Sequence, residues 1–396
     1  MPDRRRGAVA LGLACAPAVS NSFARFAYAL VLPSMQADLG WTYAQAGWAN
    51  TANTIGYLVG ALLTLALVSR TGNRALFLGG LAGTSVSVFA CGFTADFGAL
   101  LAWRFSGGLF SAMIFVCGGV LAGHIHRDAP ERSAVDIAVF FAGAGVGMAL
   151  SGLALPPLLA LLGDAGWPWA WRVLGAASAV AAVISARAAM HIEETPPSGI
   201  RVDWPLSAYV PALAGYFLNA LGYIAYMTFI AAWIAARQGP PGSVVILWTA
   251  LGLAAAVAPV LWRRALSRWR GGLALAACTL CVAVGTVLPV FSVSTPVLVL
   301  SGIAFGNGLF IAPAAVAGLV KRSLPASAWG PALATFTATF AIGQGIGPAL
   351  AGLVADAAGS LQPALLASAA VLAAAAAVAL VQREPGRRPN ETSSTG

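Results

Sequence analysis

The chain is divided into long apolar runs that carry almost no charge, and this pattern constrains the fold more than any motif does. The runs lie near residues 8–33, 44–68, 75–93, 97–121, 134–162 and 167–190, then near 206–236, 243–262, 272–291, 296–320, 330–357 and 362–382. Most are long enough to cross a hydrocarbon layer about 30 Å thick. They are continuous and rich in Ala, Leu and Gly, unlike the short alternating segments of a barrel, so they predict an all-α membrane protein of roughly twelve spans. Composition excludes the alternative: 59% hydrophobic residues, 9% charged residues and a mean hydropathy of +0.83 leave too little to build the polar surface of a soluble domain. The partner this implies is the lipid bilayer.

A net charge of +9 suits nucleic acid only if the basic residues share a face, and here they fall on alternate loops. The exceptions are Arg25 and Arg104 inside spans and Arg172 and Arg237 on the opposite side. This positive-inside pattern predicts both termini in the cytoplasm of a bacterial inner membrane and gives no role to nucleic acid. Arg4-Arg5-Arg6 followed by an apolar run resembles a secretory leader, but the run continues past any cleavage point, so it is read as the first span. The cysteines at 15, 91, 117, 278 and 281 all fall inside apolar runs and imply no disulfide framework. Cys278 and Cys281, despite their spacing, read as small hydrophobes.

The chain repeats itself about 200 residues on. Ser69-Arg70 recurs as Ser267-Arg268, Gly108-Leu-Phe as Gly308-Leu-Phe, and the glycines at 143, 145, 147 and 152 as those at 343, 345, 347 and 352. An even number of spans returns the chain to its starting side, so the repeat predicts two like-oriented halves, 1–190 and 206–382. A polar cytoplasmic linker at 191–205 joins them, and a polar, disordered tail follows at 383–396.

Within the first span a permanent charge, Arg25, sits where it costs roughly 3 kcal/mol on insertion scales, which makes it a candidate for function. On an α-helix Asn21, Arg25 and Tyr28 share one stripe, and the repeat places Asn219, Tyr223 and Tyr226 in the corresponding span. Arg104 is read as either a structural cation or a coupling residue. Asn50, Asn53 and Gln344 are read as interhelical hydrogen-bonding residues or cavity lining. The glycines of the fifth and eleventh spans, Gly143, Gly147, Gly343 and Gly347 with Pro348, read as packing and bending devices. His124 and His126, two apart on a helix, point away from each other and predict no metal site. They are expected to join Arg127 and Asp128 at the interface. Trp41, Trp48, Trp167, Trp169 and Trp171 read as interfacial belt residues. The Asp and Glu residues lie in loops, tails or span ends, Asp136 being nearest to an exception, so no buried carboxylate relay is expected.

Several of these segments resemble the major facilitator superfamily over nearly the whole chain. Ser69-Arg70-Thr71-Gly72-Asn73-Arg74 is similar to its loop motif between spans 2 and 3, with Ser69 in place of the usual Asp, and Arg104-x-x-x-Gly108 to its span-4 arginine motif. The glycines of spans 5 and 11 resemble its gating-helix motif. Arg25-Phe26-Ala27-Tyr28 with Pro33 and Met35, Gln45-Ala-Gly47-Trp48, Asn53-x-x-Gly56-Tyr57 and Tyr223-Ile-Ala-Tyr226 resemble, more narrowly, the YbfB/YjiJ-type bacterial branch. The resemblance implies a six-plus-six fold, a cavity lined by spans 1, 4, 7 and 10, and a latch at Ser69, Arg70, Gly72 and Arg74. It thereby aims Asn21, Arg25, Tyr28, Arg104, Asn219, Tyr223, Tyr226 and Asn307 at one volume.

Three classes of function compete. A phosphate-binding loop is absent from the sequence, which argues against direct drive by ATP. A membrane enzyme needs converging His, Asp or Glu that the spans do not supply, so neither cofactor nor metal is expected. A sensor or scaffold of transporter shape would show no flux. The expectation is a monomeric secondary transporter of a small organic anion, a carboxylate in preference to a phosphate ester, working by alternating access. The alternative is an efflux pump for amphiphilic compounds with Phe26, Tyr28, Tyr223, Tyr226 and Phe340 as a tolerant surface.

Overall fold

The computed structural model describes residues 3–126, 129–193 and 204–384. Among them there is no strand, and twelve helices are long and apolar enough to cross a membrane. Spans 1 to 6 are Arg5–Leu39, Tyr43–Thr71, Asn73–Phe93, Phe97–His124, Val135–Leu162 and Asp164–Ala189. Spans 7 to 12 are Leu206–Ala236, Ser243–Leu261, Leu273–Phe291, Thr295–Ser323, Pro331–Ala358 and Leu361–Leu380. Most of the expected linker and tail, residues 194–203 and 385–396, lies outside the described residues, as do Arg127 and Asp128.

Local chemistry sets the span ends. Thr42 and Gln45 form a reciprocal capping box at the start of span 2, Thr42 Oγ1 accepting the Gln45 N–H at 3.2 Å and Gln45 Oε1 the Thr42 N–H at 3.0 Å. Asp96 accepts the Ala99 N–H at 2.8 Å and so starts span 4. Span 1 runs past the expected stop at Pro33, which the helix Tyr28–Leu39 accommodates. It ends instead at Gly40, whose φ of 65° only glycine adopts without cost. Between Ala18 and Phe26 span 1 is not an α-helix but a π-helix, closed by the Ala27 N–H on the Ser22 carbonyl at 2.7 Å.

Chain ends and even-numbered loops lie on one side, the terminal side; odd-numbered loops lie on the far side. The buried cores divide along this axis. On the terminal side Leu13, Phe77, Ile114, Leu121 and Phe140 centre a core drawn only from spans 1–6, and Tyr209, Leu319, Ala332 and Phe336 one drawn only from spans 7–12. A third core is shared: Leu32, Trp171, Phe229, Trp248 and Leu365 belong to it. It joins the halves from mid-membrane to the far side.

Glycines permit that joint. Gly145 meets the backbone of span 8 at Gly252 and Ala256, and Gly47 and Gly352 meet Pro348 and Tyr43 backbone across the span 2–span 11 seam. The alternate glycines face inward to their own half: Gly143 and Gly147 lie on Ala14 and Ala18 of span 1, and Gly343 and Gly347 on Phe217 and Ile224 of span 7. The repeat seen in the sequence is thus a repeat of helix contacts, one glycine face for each neighbour.

Candidate substrate site

The π-helix changes what span 1 presents. The α-periodic stripe of Asn21, Arg25 and Tyr28 is not formed as expected, because the wider turn over Ala18–Phe26 carries Tyr28 away from the other two. The Tyr28 hydroxyl donates to the Ala46 carbonyl at 2.8 Å, and its ring stacks on Trp171 at 6.4 Å. Asn21 Nδ2 donates to Ser20 Oγ at 3.4 Å. Arg25 turns to the middle of the protein, 5% exposed, with its guanidinium 5.1 Å from the Tyr57 ring and 5.6 Å from the Phe26 ring. Its Nη2 donates to Thr54 Oγ1 at 3.4 Å, whereas Nε has no partner among the described residues.

The second intramembrane cation behaves differently. Arg104 is 3% exposed and donates to the carbonyls of Ala24 at 2.5 Å and Ala49 at 3.4 Å and to Asn50 Oδ1 at 3.3 Å, with the Tyr28 and Trp171 rings 4.6 and 5.4 Å from its Cζ. It ties span 4 to spans 1 and 2. Of its two sequence readings, the structural one fits. Asn53 is likewise spent on the Arg104 carbonyl at 2.9 Å. No carboxylate of the described residues pairs with either arginine.

Other expected members are also drawn away. The Tyr226 hydroxyl pairs with Ser301 at 2.7 Å and its ring stacks on Phe305 at 4.2 Å, inside the second half. Asn219 Oδ1 accepts from Thr279 at 3.2 Å, and Asn307 Oδ1 from the Trp262 indole at 2.9 Å. A buried polar group is costly unless paired, and these found partners on neighbouring helices.

What does gather at Arg25 is a set of tyrosines with uncommitted hydroxyls. Tyr57, Tyr216 and Tyr223 are buried near one another and make no side-chain hydrogen bond among the described residues. Arg25 lies near both Tyr57 and Tyr223. Phe340 stacks on Tyr223 at 5.7 Å and on Tyr216 at 4.5 Å. Gln344, one turn further along span 11, is 1% exposed with Nε2 unpartnered, while Ile342 and Ile346 beside it are 48% and 43% exposed. Its face is therefore the inner one. Tyr57 and Tyr216 were not expected here. The sequence did hold a signal: Tyr57 is four residues after Asn53, and Tyr216 seven before Tyr223, both on already polar faces.

Asn50 links the site to the far-side joint. Its Nδ2 donates across the halves to Thr228 Oγ1 at 2.6 Å, its Oδ1 receives Arg104, and its carbonyl accepts from Thr54, the hydroxyl that holds Arg25. In the loop expected to form a latch, Ser69 and Arg70 are exposed on the terminal side, Gly72 has a φ of 80°, and Arg74 donates to the Ile192 carbonyl of its own half.

Two expectations near the interface are corrected. Asp136 is buried, 6% exposed, and pairs with His126 Nδ1 at 2.6 Å, so His126 turns to span 5. Trp171 and Trp167 are also buried, the latter donating to Asp38 at 2.8 Å, whereas Trp48 and Trp169 are 49% and 55% exposed, as belt residues are. No cluster of His, Cys, Asp and Glu suited to a metal occurs among the described residues.

Twelve spans in two like-oriented, glycine-seamed halves are the major facilitator fold, and solved structures bear this out. A bacterial homologue of the human lysosomal transporter Spinster, inward-facing and occupied, matches with a TM-score of 0.72 at 17% identity, over 96% of this chain and 97% of that one. A point mutant of the nucleoside transporter NupG matches at 0.74 and 12%, over 94% and 99%, and the human organic anion transporter MFSD10 at 0.64 and 19%, over 96% and 99%. Residues 18–380 match the family described as the uncharacterised MFS-type transporter YbfB, and the chain belongs to that family of membrane transporters. A relative from Bacillus subtilis (strain 168), the uncharacterised MFS-type transporter YceJ, is 27% identical over 218 residues, 52% of this chain and 53% of its own length. The match thus spans about half of that relative.

Proposed function

We propose that the protein carries a small organic anion, a monocarboxylate, by alternating access about Arg25. The observation that carries this reading is a buried guanidinium with no carboxylate partner and an unspent Nε, set among hydroxyl and amide donors. In a low-dielectric setting such a charge attracts an anion strongly, and the planar fork of arginine matches a carboxylate with two hydrogen bonds. A dianion would leave one charge unpaired, because Arg104 is already spent on backbone carbonyls. The state seen supports access from the terminal side: an approach from there parts no shared core, whereas one from the far side breaks the joint core. The reading includes a monomer in a bacterial inner membrane with cytoplasmic termini.

The test is a thermal-shift screen of purified protein against carboxylates, followed by counterflow in proteoliposomes. Arg25→Lys keeps the charge and loses the fork, so it should weaken binding. Arg25→Ala should weaken it by about 10- to 100-fold, the worth of a charge-assisted hydrogen bond, with membrane insertion intact. Full transport by Arg25→Ala, or a hydrophobic cation as the best ligand, would favour the efflux reading instead.

A further inference from the structure

Rings lead away from Arg25 in both halves. In the second half Tyr223, Phe340 and Tyr216 follow one another at 5.7 and 4.5 Å. In the first half Tyr57, Phe115 and Phe141 follow at 6.3 and 4.8 Å. Both columns start at the arginine and run toward the terminal side, where the halves keep separate cores. Tyr57 and Phe115 belong to neither of those cores but to a small cluster of their own with Ala61 and Ala112. Tyr57 thus presents its ring to the Arg25 guanidinium, 5.1 Å away, rather than to the core of its own half.

We infer that the carried anion is aromatic: a flat ring bearing one carboxylate, the ring between the Tyr57 and Tyr223–Phe340 faces and the carboxylate on Arg25. The inference rests on the carboxylate reading above. The protein's side of the site is rings with few polar groups: Arg25 Nε and Gln344 Nε2 are unpartnered among the described residues, beside the hydroxyls of Tyr57, Tyr216 and Tyr223. Such a lining complements a ligand whose acceptors sit at one end and whose remainder is apolar and planar. A sugar acid or a hydroxylated aliphatic acid would bring more hydroxyl groups than the tyrosines and Gln344 can pair, and burying the remainder between rings without partners costs affinity. Ring-on-ring contact adds a factor of about 2 to 12 in affinity per pair beyond the area it covers.

The experiment compares benzoate, phenylacetate and 2-naphthoate with their saturated-ring counterparts, which match them in charge and skeleton, by calorimetric titration of purified protein. The wild type should bind the aromatic member of each pair at least about fivefold more tightly. Phe340→Leu, which keeps apolar bulk but removes the stack, should bring that ratio close to one while changing the affinity for the saturated acids by less than about twofold. Tyr216→Leu, acting on the same column from its other side, provides the same reading if Phe340→Leu does not fold. Equal affinities for both series, lost together in Arg25→Ala, would overturn the aromatic assignment and leave the carboxylate reading standing. Binding of neither series to the wild type, or binding indifferent to Arg25→Ala, would overturn both.

Discussion

Asp356, at the far-side end of span 11, accepts the backbone N–H of Tyr43 at 2.9 Å and of Ala44 at 2.8 Å, the first two residues of span 2 in the other half. It is a helix cap supplied across the seam. A carboxylate at a helix N-terminus satisfies orphan N–H groups and meets the positive end of the helix dipole. Any movement that opens the far side must separate these groups, so the cap stabilises only the far-side-closed state. Asp356 is exposed, so its worth is that of an ordinary cap, about 1 kcal/mol, not that of a buried charge pair. Asp356→Ala should therefore shift the closed-to-open ratio about fivefold toward open. Asp356→Asn, which keeps one acceptor and loses the charge, should fall between. Spin labels at Ala95 and Ser294, exposed far-side positions in the two halves, would read the shift as a second, longer population in double electron–electron resonance, in a cysteine-free background. Populations within about twofold of wild type in Asp356→Ala would refute the argument that this cap biases the gate.

Three further outcomes follow from the same geometry. Arg104→Lys should lower the melting temperature and yield of folded protein, because one ammonium cannot reach the Ala24 and Ala49 carbonyls and Asn50 together; normal stability would contradict its structural role. Reporter fusions after Asp96 and after Thr195 should show opposite sidedness, and matching sidedness would sink the two-half arrangement. Asp136→Asn should reduce thermal stability by breaking the buried pair with His126 and leave exchange of the anion unchanged. If it abolished proton-coupled uptake while sparing exchange, Asp136 would be a proton carrier.

The span count, the packing glycines and the burial of Arg25 were legible in the sequence because each is a one-dimensional signal: run length, spacing, and a charge where charge is costly. What was not legible was which partner each polar residue would choose. Tyr226, Asn219 and Asn307 carry the same side chain types as the residues around Arg25, and only the folded chain shows them bonded to Ser301, Thr279 and Trp262 on other spans. The α-helical period misled at Tyr28 for a local reason, since nothing in Ala18–Phe26 announces a π-helix. Asp136 looked like a loop-end residue until His126, ten positions earlier, turned onto it. Tyr57 and Tyr216 were overlooked because tyrosine in an apolar run reads as core. Their uncommitted hydroxyls are a property of the assembled site.

The two halves are alike in plan but not in charge, and the difference falls at the point where they meet. Span 1 brings Arg25 to the centre, and the repeat puts Tyr223 in the corresponding place on span 7. The arginine is held by Thr54, Thr54 by the Asn50 carbonyl, and the Asn50 side chain crosses to Thr228 of the second half at 2.6 Å. The group that would take the anion is therefore linked, through Thr54 and Asn50, to one of the bonds that join the halves. On the proposed function, a carboxylate drawing Arg25 off Thr54 frees that hydroxyl to rotate, and the Asn50–Thr228 bond is the next link in the chain. A ligand can shift a two-state equilibrium only by binding the states unequally, and this short path supplies a means for that difference without any motion of the outer helices. Asn50→Ala would break the path at its middle. It should leave anion affinity nearly intact and reduce the change in gate population that the anion produces, so an unchanged response to ligand would place the coupling elsewhere.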